Sequence, residues 1–189
     1  VQTCALPIFK PNTHQELKPY EDGEICVTGP TVMLGYLDNE VETNEVLQIH
    51  DDGYVWLHTG DIGYMDEDGV FFYKQRLKRM IISSGYNVYP SYIENIIEQH
   101  PAVLSCTVIG IPHPYKVEVP KAFIVLKNDY LGLNVKNSIK KFCQKHLSQH
   151  SVPKEFEFRK SLPKTLIGKV DFKKLMDEEA KKREHKQND

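Results

Sequence analysis

Through its first half the chain sets short apolar runs between glycine, proline and aspartate, and in its second half it adds apolar residues at three- and four-residue intervals. The first pattern predicts strands joined by turns, and the second predicts amphipathic helices interleaved with strands. Residues 9–22 are polar and broken by proline, so irregular chain with at most one short strand is expected there. Asp22-Gly23 is a turn signal, and Glu24-Ile25-Cys26-Val27-Thr28 alternates as a strand. Gly29-Pro30 stops that strand, because proline has no N–H to give to a ladder. Residues 33–37 read as a loop, and Asp38 or Asn39 caps a short helix from Glu40 to Leu47. Asp51-Asp52-Gly53 turns the chain into a strand at Tyr54–His58. Ile62–Asp66, a turn at Glu67-Asp68-Gly69 and Val70–Tyr73 predict a hairpin. The acids of that turn lack the spacing of a calcium loop.

Met80-Ile81-Ile82 reads as a short buried strand, followed by a tight turn at residues 83–86. Ser91-x-x-Glu94 has the form of a capping box, opening a helix with Ile93, Ile96 and Ile97 on one face that ends near His100-Pro101. Val103–Ile111, Ala122–Leu126 and Glu155–Arg159 are predicted strands. Asn134 is expected to cap a helix in which Ile139, Phe142, Cys143, His146 and Leu147 recur at helical spacing. The last helix starts near Asp171, buries Phe172, Leu175 and Met176, and then becomes wholly charged. Asp177–Lys181, Glu178–Lys182 and Glu179–Arg183 form i,i+4 pairs on a solvated, fraying end. These patterns predict an α/β (α+β) fold: the β-rich end of one domain, then a second, smaller domain with a short sheet flanked by helices.

Composition narrows the classes. With 189 residues, 40% hydrophobic and 26% charged, the chain is an ordinary globular one, long enough for one large or two small domains. A net charge of −2 offers no general attraction to nucleic acid, and the basic residues near the end interleave with acids. No apolar run approaches the ~20 residues of a membrane span. Cys4, Cys26, Cys106 and Cys143 lie far apart and form no pair typical of a metal site, which favours a reducing, cytoplasmic setting. Residues 1–8, Val-Gln-Thr-Cys-Ala-Leu-Pro-Ile, are what a common sequencing adapter encodes, so a non-native origin is expected for them and for Cys4.

Candidate chemistry gathers in four places. Asp61, after Thr59-Gly60, offers a carboxylate at the end of a strand, where its paired oxygens suit the two hydroxyls of a ribose; the alternative is that it only caps the turn. Arg76 and Lys78 are two apart and so share one side of an extended segment, the arginine with a fork of donors for ribose or phosphate oxygens. Taken alone they also fit a solvated basic linker. Gly85, between Ser84 and Tyr86, marks a turn that needs positive φ or a close backbone approach. Lys169 follows Gly168 on a Pro- and Gly-bounded loop, where its ammonium can reach a phosphate or carboxylate, though without a P-loop context.

The order of the pieces is more specific than any one of them. Thr59-Gly60-Asp61, then Arg76-x-Lys78, then Ser84-Gly85-Tyr86-Asn87-Val88-Tyr89-Pro90, then Pro163-Lys164-Thr165-x-x-Gly168-Lys169 together resemble the C-terminal portion of adenylate-forming enzymes, from Phe9 to Met176. That superfamily includes AMP-forming acyl-CoA synthetases, nonribosomal adenylation domains and firefly luciferase. The resemblance implies domains at 9–75 (end of the adenylation domain), 76–79 (hinge), 80–176 (small C-terminal domain) and 177–189 (charged helix end and tail). It further implies that Asp61, Tyr73 and Arg76 bind the nucleotide, Lys78 is the hinge, Gly85 and Tyr86 face the coenzyme A thiol, and Lys169 is catalytic. ATP, Mg²⁺, coenzyme A and a carboxylic acid would be the reactants, with the magnesium ligands, phosphate loop and acyl pocket upstream, so the chain alone is expected to be inactive. Gln75 and Tyr92 depart from the residues common at their positions, glycine and glutamate. A carrier-protein-loading adenylation domain, a luciferase-type oxygenase and a non-catalytic nucleotide-binding module are the alternatives.

Overall fold

The computed structural model describes residues 7–187 and divides into two compact units, one ending at Lys78 and the other beginning at Arg79. Residues 1–6, with Cys4 and most of the adapter-like octapeptide, lie outside the described residues. The boundary falls inside the segment expected to be a hinge.

The first unit contains β1 (Ile8–Phe9), β2 (Gly23–Val27), α1 (Glu40–Val46), β3 (Leu47–Ile49), β4 (Val55–Met65) and β5 (Phe71–Arg76). Its strands make one antiparallel sheet built on β4, with β2 along one edge and β3 and β5 in succession along the other. The expected two strands on either side of Thr59-Gly60-Asp61 are therefore a single strand that runs through the tripeptide. Asn39, not Asp38, caps α1, its side chain accepting the Glu42 N–H at 3.1 Å. The helix stops one residue earlier than its pattern suggested, because Leu47 already pairs with Leu57 in β3. Phe9, Cys26 and Trp56 form the small apolar core. The β4–β5 turn is tied by Asp66, whose Oδ1 accepts the N–H groups of Asp68 and Val70, as expected of a turn rather than a cation loop.

The second unit contains β6 (Ile81–Ser83), β7 (Tyr86–Val88), α2 (Pro90–Glu98), β8 (Val103–His113), β9 (Val117–Leu126), α3 (Lys136–His146), β10 (Glu155–Phe158) and α4 (Phe172–Gln187). β9 is its axis, pairing antiparallel with β8 and β6 and parallel with β10. Because side chains alternate across a strand, β9 feeds two cores. Ala122 and Ile124 join Ile93, Ile97, Ile139 and Cys143 beneath α2 and α3, whereas Val119, Phe123 and Val125 join Leu162 and Leu175 beneath α4.

Two helix starts differ from expectation. Ser91 lies inside α2, behind Tyr89 at the N-cap and Pro90 at the first turn, so Ser91 is not the N-cap residue its spacing suggested. Glu94 is spent instead on three donors: Arg79 Nη2 at 2.5 Å, the Val108 N–H at 2.8 Å and the Thr107 hydroxyl at 3.0 Å. At α3 the N-cap is Val135, not Asn134. α4 does start next to Asp171, whose Oδ1 accepts the Lys174 N–H, but Met176 is 48% exposed rather than buried.

The charged part of α4 is also less solvated than its sequence suggests. Lys121, 6% exposed on β9, lies 2.6 Å from Glu179 of α4 and 3.0 Å from Glu157 of β10. Around this centre Arg183 bridges Glu179 and Glu155, Arg159 bridges Glu157 and Glu178, and Lys182 reaches Glu157. Of the expected i,i+4 pairs, Glu179–Arg183 forms, while Glu178 turns to Arg159 and Lys182 to Glu157 of β10. Burial alone would raise the Glu157 pKa, but bonds from Lys182, Lys121 and Arg159 outweigh it and bring the value from 4.5 to about 2. Burial would likewise lower that of Lys121, yet its bonds to Glu179 and Glu157 raise it.

Two outcomes follow for stability. Lys121→Ala leaves buried Glu179 with Arg183 as its remaining cation and should cost at most about 3 kcal/mol in urea unfolding, whereas Lys121→Met with Glu179→Leu should recover most of that loss. Glu157 is depressed in the folded state, so its contribution is complete above pH 4.5 and drains away as the pH falls toward about 2; Glu157→Gln should flatten the acid limb of a thermal-melting pH series over that window.

A third outcome concerns backbone strain. Val117, a β-branched residue, sits at φ +66° and is bridged to Ser83 beside the β6–β7 turn. Left-handed backbone costs an L-residue about 1–2 kcal/mol, so Val117→Gly should stabilise the chain by about 1 kcal/mol in the same unfolding measurement.

Candidate nucleotide and lysine sites

In the first unit, Thr59-Gly60-Asp61 is a bulge. Glu24 of β2 is opposite Ile62 of β4 and Cys26 is opposite His58, so three residues of β4 face only Ile25. Gly60 takes φ +70°, which an L-residue adopts only at a cost. The ladder bonds lost in the bulge are replaced by side chains. The Thr59 hydroxyl donates to the Ile25 carbonyl at 2.6 Å and accepts the Asp61 N–H at 3.1 Å. Glu24 Oε1 accepts the Gly60 N–H at 2.8 Å. The expectation that Asp61 stands at a strand end is thus corrected: it projects from the middle of β4 at a distortion.

Across the β4–β5 ladder Asp61 is opposite Arg76, and Arg76 Nε lies 2.9 Å from Asp61 Oδ1. Arg76 Nη1 donates to the Thr59 carbonyl at 3.1 Å, so the guanidinium spans the bulge. A second register shift, between Ile62 and Gly63, leaves Lys74 as the extra residue of β5 and puts Tyr73 opposite Gly63. Tyr73 consequently shares a face with Asp61 and Arg76, although in an unbroken strand residues three apart would point to opposite faces. Lys74 and Gln75 go to the other face. Lys74 pairs with Asp22, and Gln75 is buried with neither amide atom partnered among the described residues.

Arg76 is 62% and Asp61 32% exposed, and a pair so open to water contributes at most about 1 kcal/mol to stability. The Asp61–Arg76 pair is therefore a poor structural fastener. It is better suited to a ligand that offers both donors and acceptors, such as a vicinal diol. Lys78, predicted to lie on the same extended side as Arg76, instead sits in a one-turn 3-10 helix over Leu77–Arg79 at the unit boundary. That turn ends the extended backbone at Arg76.

In the second unit, Ser84 (φ +54°) and Gly85 (φ +81°) make a two-residue loop between β6 and β7, as the hairpin twist demands. A Cβ added to Gly85 would meet nothing within 4 Å, so its backbone is open to approach. Tyr86 is exposed and stacks on His150 with ring centroids 4.0 Å apart. Lys169 is exposed on a closed turn. Lys164 and Val170 form a bridge, the Thr165 N–H donates to the Lys169 carbonyl at 2.7 Å, and the Asp171 N–H ties back to Pro163 at 2.9 Å. Leu162 and Val170, at the two ends of this turn, pack into the core beneath α4. The turn is thus braced, and Lys169 is presented beside a tip formed by exposed Leu166 and Ile167.

Sequence reasoning missed the support behind Asp61. Glu24, Cys26 and His58 converge behind the bulge, His58 Nδ1 being 2.9 Å from Glu24 and 3.6 Å from Cys26, with His50 Nε2 2.9 Å from His58 Nε2. The signal was present: Glu24 and Cys26 sit at alternate positions of a strand, as do Trp56 and His58, so a carboxylate and an imidazole were aimed at the same face as buried apolar groups. Among the described residues, Glu24, Cys26 and His58 are also the only three potential metal ligands close enough to share an ion. They do not fit magnesium, a hard cation that takes an octahedron of oxygens. Only one of the three is a carboxylate, and burial, with Glu24 beside it, pushes the Cys26 thiol up to about 12. Cys26, Cys106 and Cys143 are buried free thiols, and burial raises the pKa of each, so none is poised to react. No helix among the described residues is long and apolar enough to cross a membrane.

Residues 92–169 match the AMP-binding enzyme C-terminal domain family. A long-chain-fatty-acid–CoA ligase of Bacillus subtilis is 43% identical over 92% of the chain, and one of Haemophilus influenzae is 41% identical over 96%. The chain spans only 30% and 32% of those relatives, respectively. Among solved structures, ATP-bound MatB from Rhodopseudomonas palustris superimposes with a TM-score of 0.79 at 31% identity, over 91% of this chain and 33% of its own. The o-succinylbenzoate CoA synthetase MenE of Bacillus subtilis, holding its acyl-adenylate, gives 0.78 at 32% identity over the same shares. A bulged strand carrying Thr-Gly-Asp, an arginine opposite it and a braced lysine turn thus occur in a chain whose residues 92–169 match the AMP-binding enzyme C-terminal domain family and which is similar over 92% of its length to a CoA ligase.

Proposed function

We propose that this chain is the C-terminal part of an ATP-dependent, AMP-forming carboxylate–CoA ligase. The observation that carries the reading is the Asp61–Arg76 pair, set face to face across two strand distortions and left open to solvent. Asp61 accepts hydrogen bonds from the ribose hydroxyls of ATP, Arg76 donates to the same ribose, and Tyr73, on the same face, lines the nucleotide. Lys169 places its ammonium between the substrate carboxylate and the α-phosphate. The carboxylate oxygen attacks the α-phosphorus, pyrophosphate leaves, and the ammonium stabilises the negative charge on the phosphoryl oxygens without exchanging a proton. The 3-10 turn at Lys78 supports a joint between the two half-reactions. Rotation there withdraws Lys169 and brings the Gly85–Tyr86 loop to the thiol path. Coenzyme A sulfur then attacks the acyl carbon and AMP departs. The bare backbone over Gly85 suits the passage of a narrow thiol arm. The relatives named for long-chain fatty acids support a fatty acid as the carboxylate. Magnesium ligands are assigned to the part of the enzyme upstream of this chain, and a cytoplasmic setting suits its free cysteines.

The half-reactions can be separated. In the complete synthetase, Lys169→Ala should reduce carboxylate-dependent pyrophosphate release by at least about a hundredfold, in line with loss of a principal electrostatic stabiliser. Thioester formation from supplied acyl-adenylate should stay within a few fold of the parent. Equal loss of both steps would reject the assignment of Lys169. Replacing coenzyme A by a carrier protein or an amine acceptor in the second assay tests the alternative acceptors directly.

A further inference from the structure

Glu24 is a carboxylate in a costly place, 4% exposed in the middle of the first unit's sheet. Such a group is retained where donors meet it. The Gly60 N–H takes one oxygen and His58 Nδ1 the other. With a carboxylate at Nδ1, the His58 proton resides there and its Nε2 is left to accept; His50 Nε2 donates to it. Burial, followed by the neighbouring His14 and His58 rings, lowers the His50 pKa and favours the neutral ring this order requires. A chain of donors and acceptors therefore runs from His50 through His58 and Glu24 to the N–H of Gly60, the residue before Asp61. Its last link fixes the one residue of the bulge with left-handed backbone, and the Gly60 N–H has lost its ladder partner to that bulge.

We propose that Glu24, braced by His58, is a positioning residue for the nucleotide site. By holding the Gly60 peptide it sets the direction of the Asp61 carboxylate, and through Asp61 that of the Arg76 guanidinium. The inference rests on the assignment of Asp61 to the ribose. Thr59 secures the ends of the bulge through Ile25 and Asp61, whereas its central Thr59–Gly60 peptide is held at the N–H by Glu24 and at the carbonyl by Arg76.

The test uses the complete synthetase carrying this chain and compares ATP with 2′-deoxy-ATP in pyrophosphate release. Glu24→Gln preserves volume but turns an amide NH₂ toward one of the two donors. The preference for ATP, as a ratio of kcat/KM values, should fall about tenfold, the size of one charge-assisted hydrogen bond. The KM for the carboxylate should not move. A purely structural Glu24 would lower the melting temperature and leave nucleotide selectivity intact, which overturns the proposal. Asp61→Ala is the reference. If it retains the preference for ATP, the ribose assignment and the positioning role fall together. If it loses the preference while Glu24→Gln keeps it, the positioning role alone falls. Should Glu24→Gln fail to fold, His58→Asn, whose amide replaces the Nδ1 donor, should keep the preference, and His58→Leu should lose it. Equal selectivity in those two variants overturns the proposal.

Discussion

A charge removed from water has to be met where it lies, and each unit of this protein is arranged around one such encounter. In the first unit the buried charge is Glu24, met by a backbone N–H and an imidazole. In the second it is Lys121, met by Glu179 and Glu157. Neither encounter is an efficient source of stability, because desolvation consumes most of what the attraction supplies. Both are instead highly directional. An apolar core tolerates small slides of one element on another, whereas a carboxylate bonded to one particular peptide does not.

That distinction explains where the chemistry sits. Asp61 projects from β4 and Tyr73 and Arg76 from β5, a strand pair that is irregular in two places, at the Thr59–Asp61 bulge of β4 and at Lys74 of β5. A regular strand would have placed Tyr73 and Arg76 on opposite faces. The distortions bring them to one face, and the polar groups behind the sheet hold the larger one in shape. Lys169 is held differently, on a turn whose two ends enter a core and whose middle is closed by backbone bonds. The residues proposed for the nucleotide are thus aimed by two bent strands, the lysine by a braced turn.

Local chemistry made much of this legible. Turns at Asp22-Gly23, Asp66–Gly69 and Ser84-Gly85 were announced by residues that tolerate or require their backbone angles, and the strands between them by alternation. The candidate site residues stood out through the order of several short motifs. What stayed hidden was decided by distant partners. Ser91 and Glu94 have the spacing of a capping box, yet Glu94 finds three better donors on Arg79, Thr107 and Val108. The charged end of α4 reads as a solvated face until β9 supplies a buried lysine opposite it. β3 and β7, three residues each, are too short to show a period. The bulge at Thr59–Asp61 was mistaken for a strand end because a glycine with left-handed backbone marks either, and only the register against β2 tells them apart.

The mixed fastening of α4 has a thermal consequence. Apolar burial, here Leu175 against Phe123 and Val119, weakens on cooling. Ion pairs behave in the opposite sense, since stripping water from charges becomes easier as temperature rises. The helix is secured by one attachment of each kind, so the loss of grip by either at one end of the temperature range is offset by the other. The turn bearing Lys169 leads straight into this helix through Asp171. The ammonium is accordingly presented from a mount whose stiffness should change little between cold and warm conditions, a property that neither the core nor the ion cluster would confer alone.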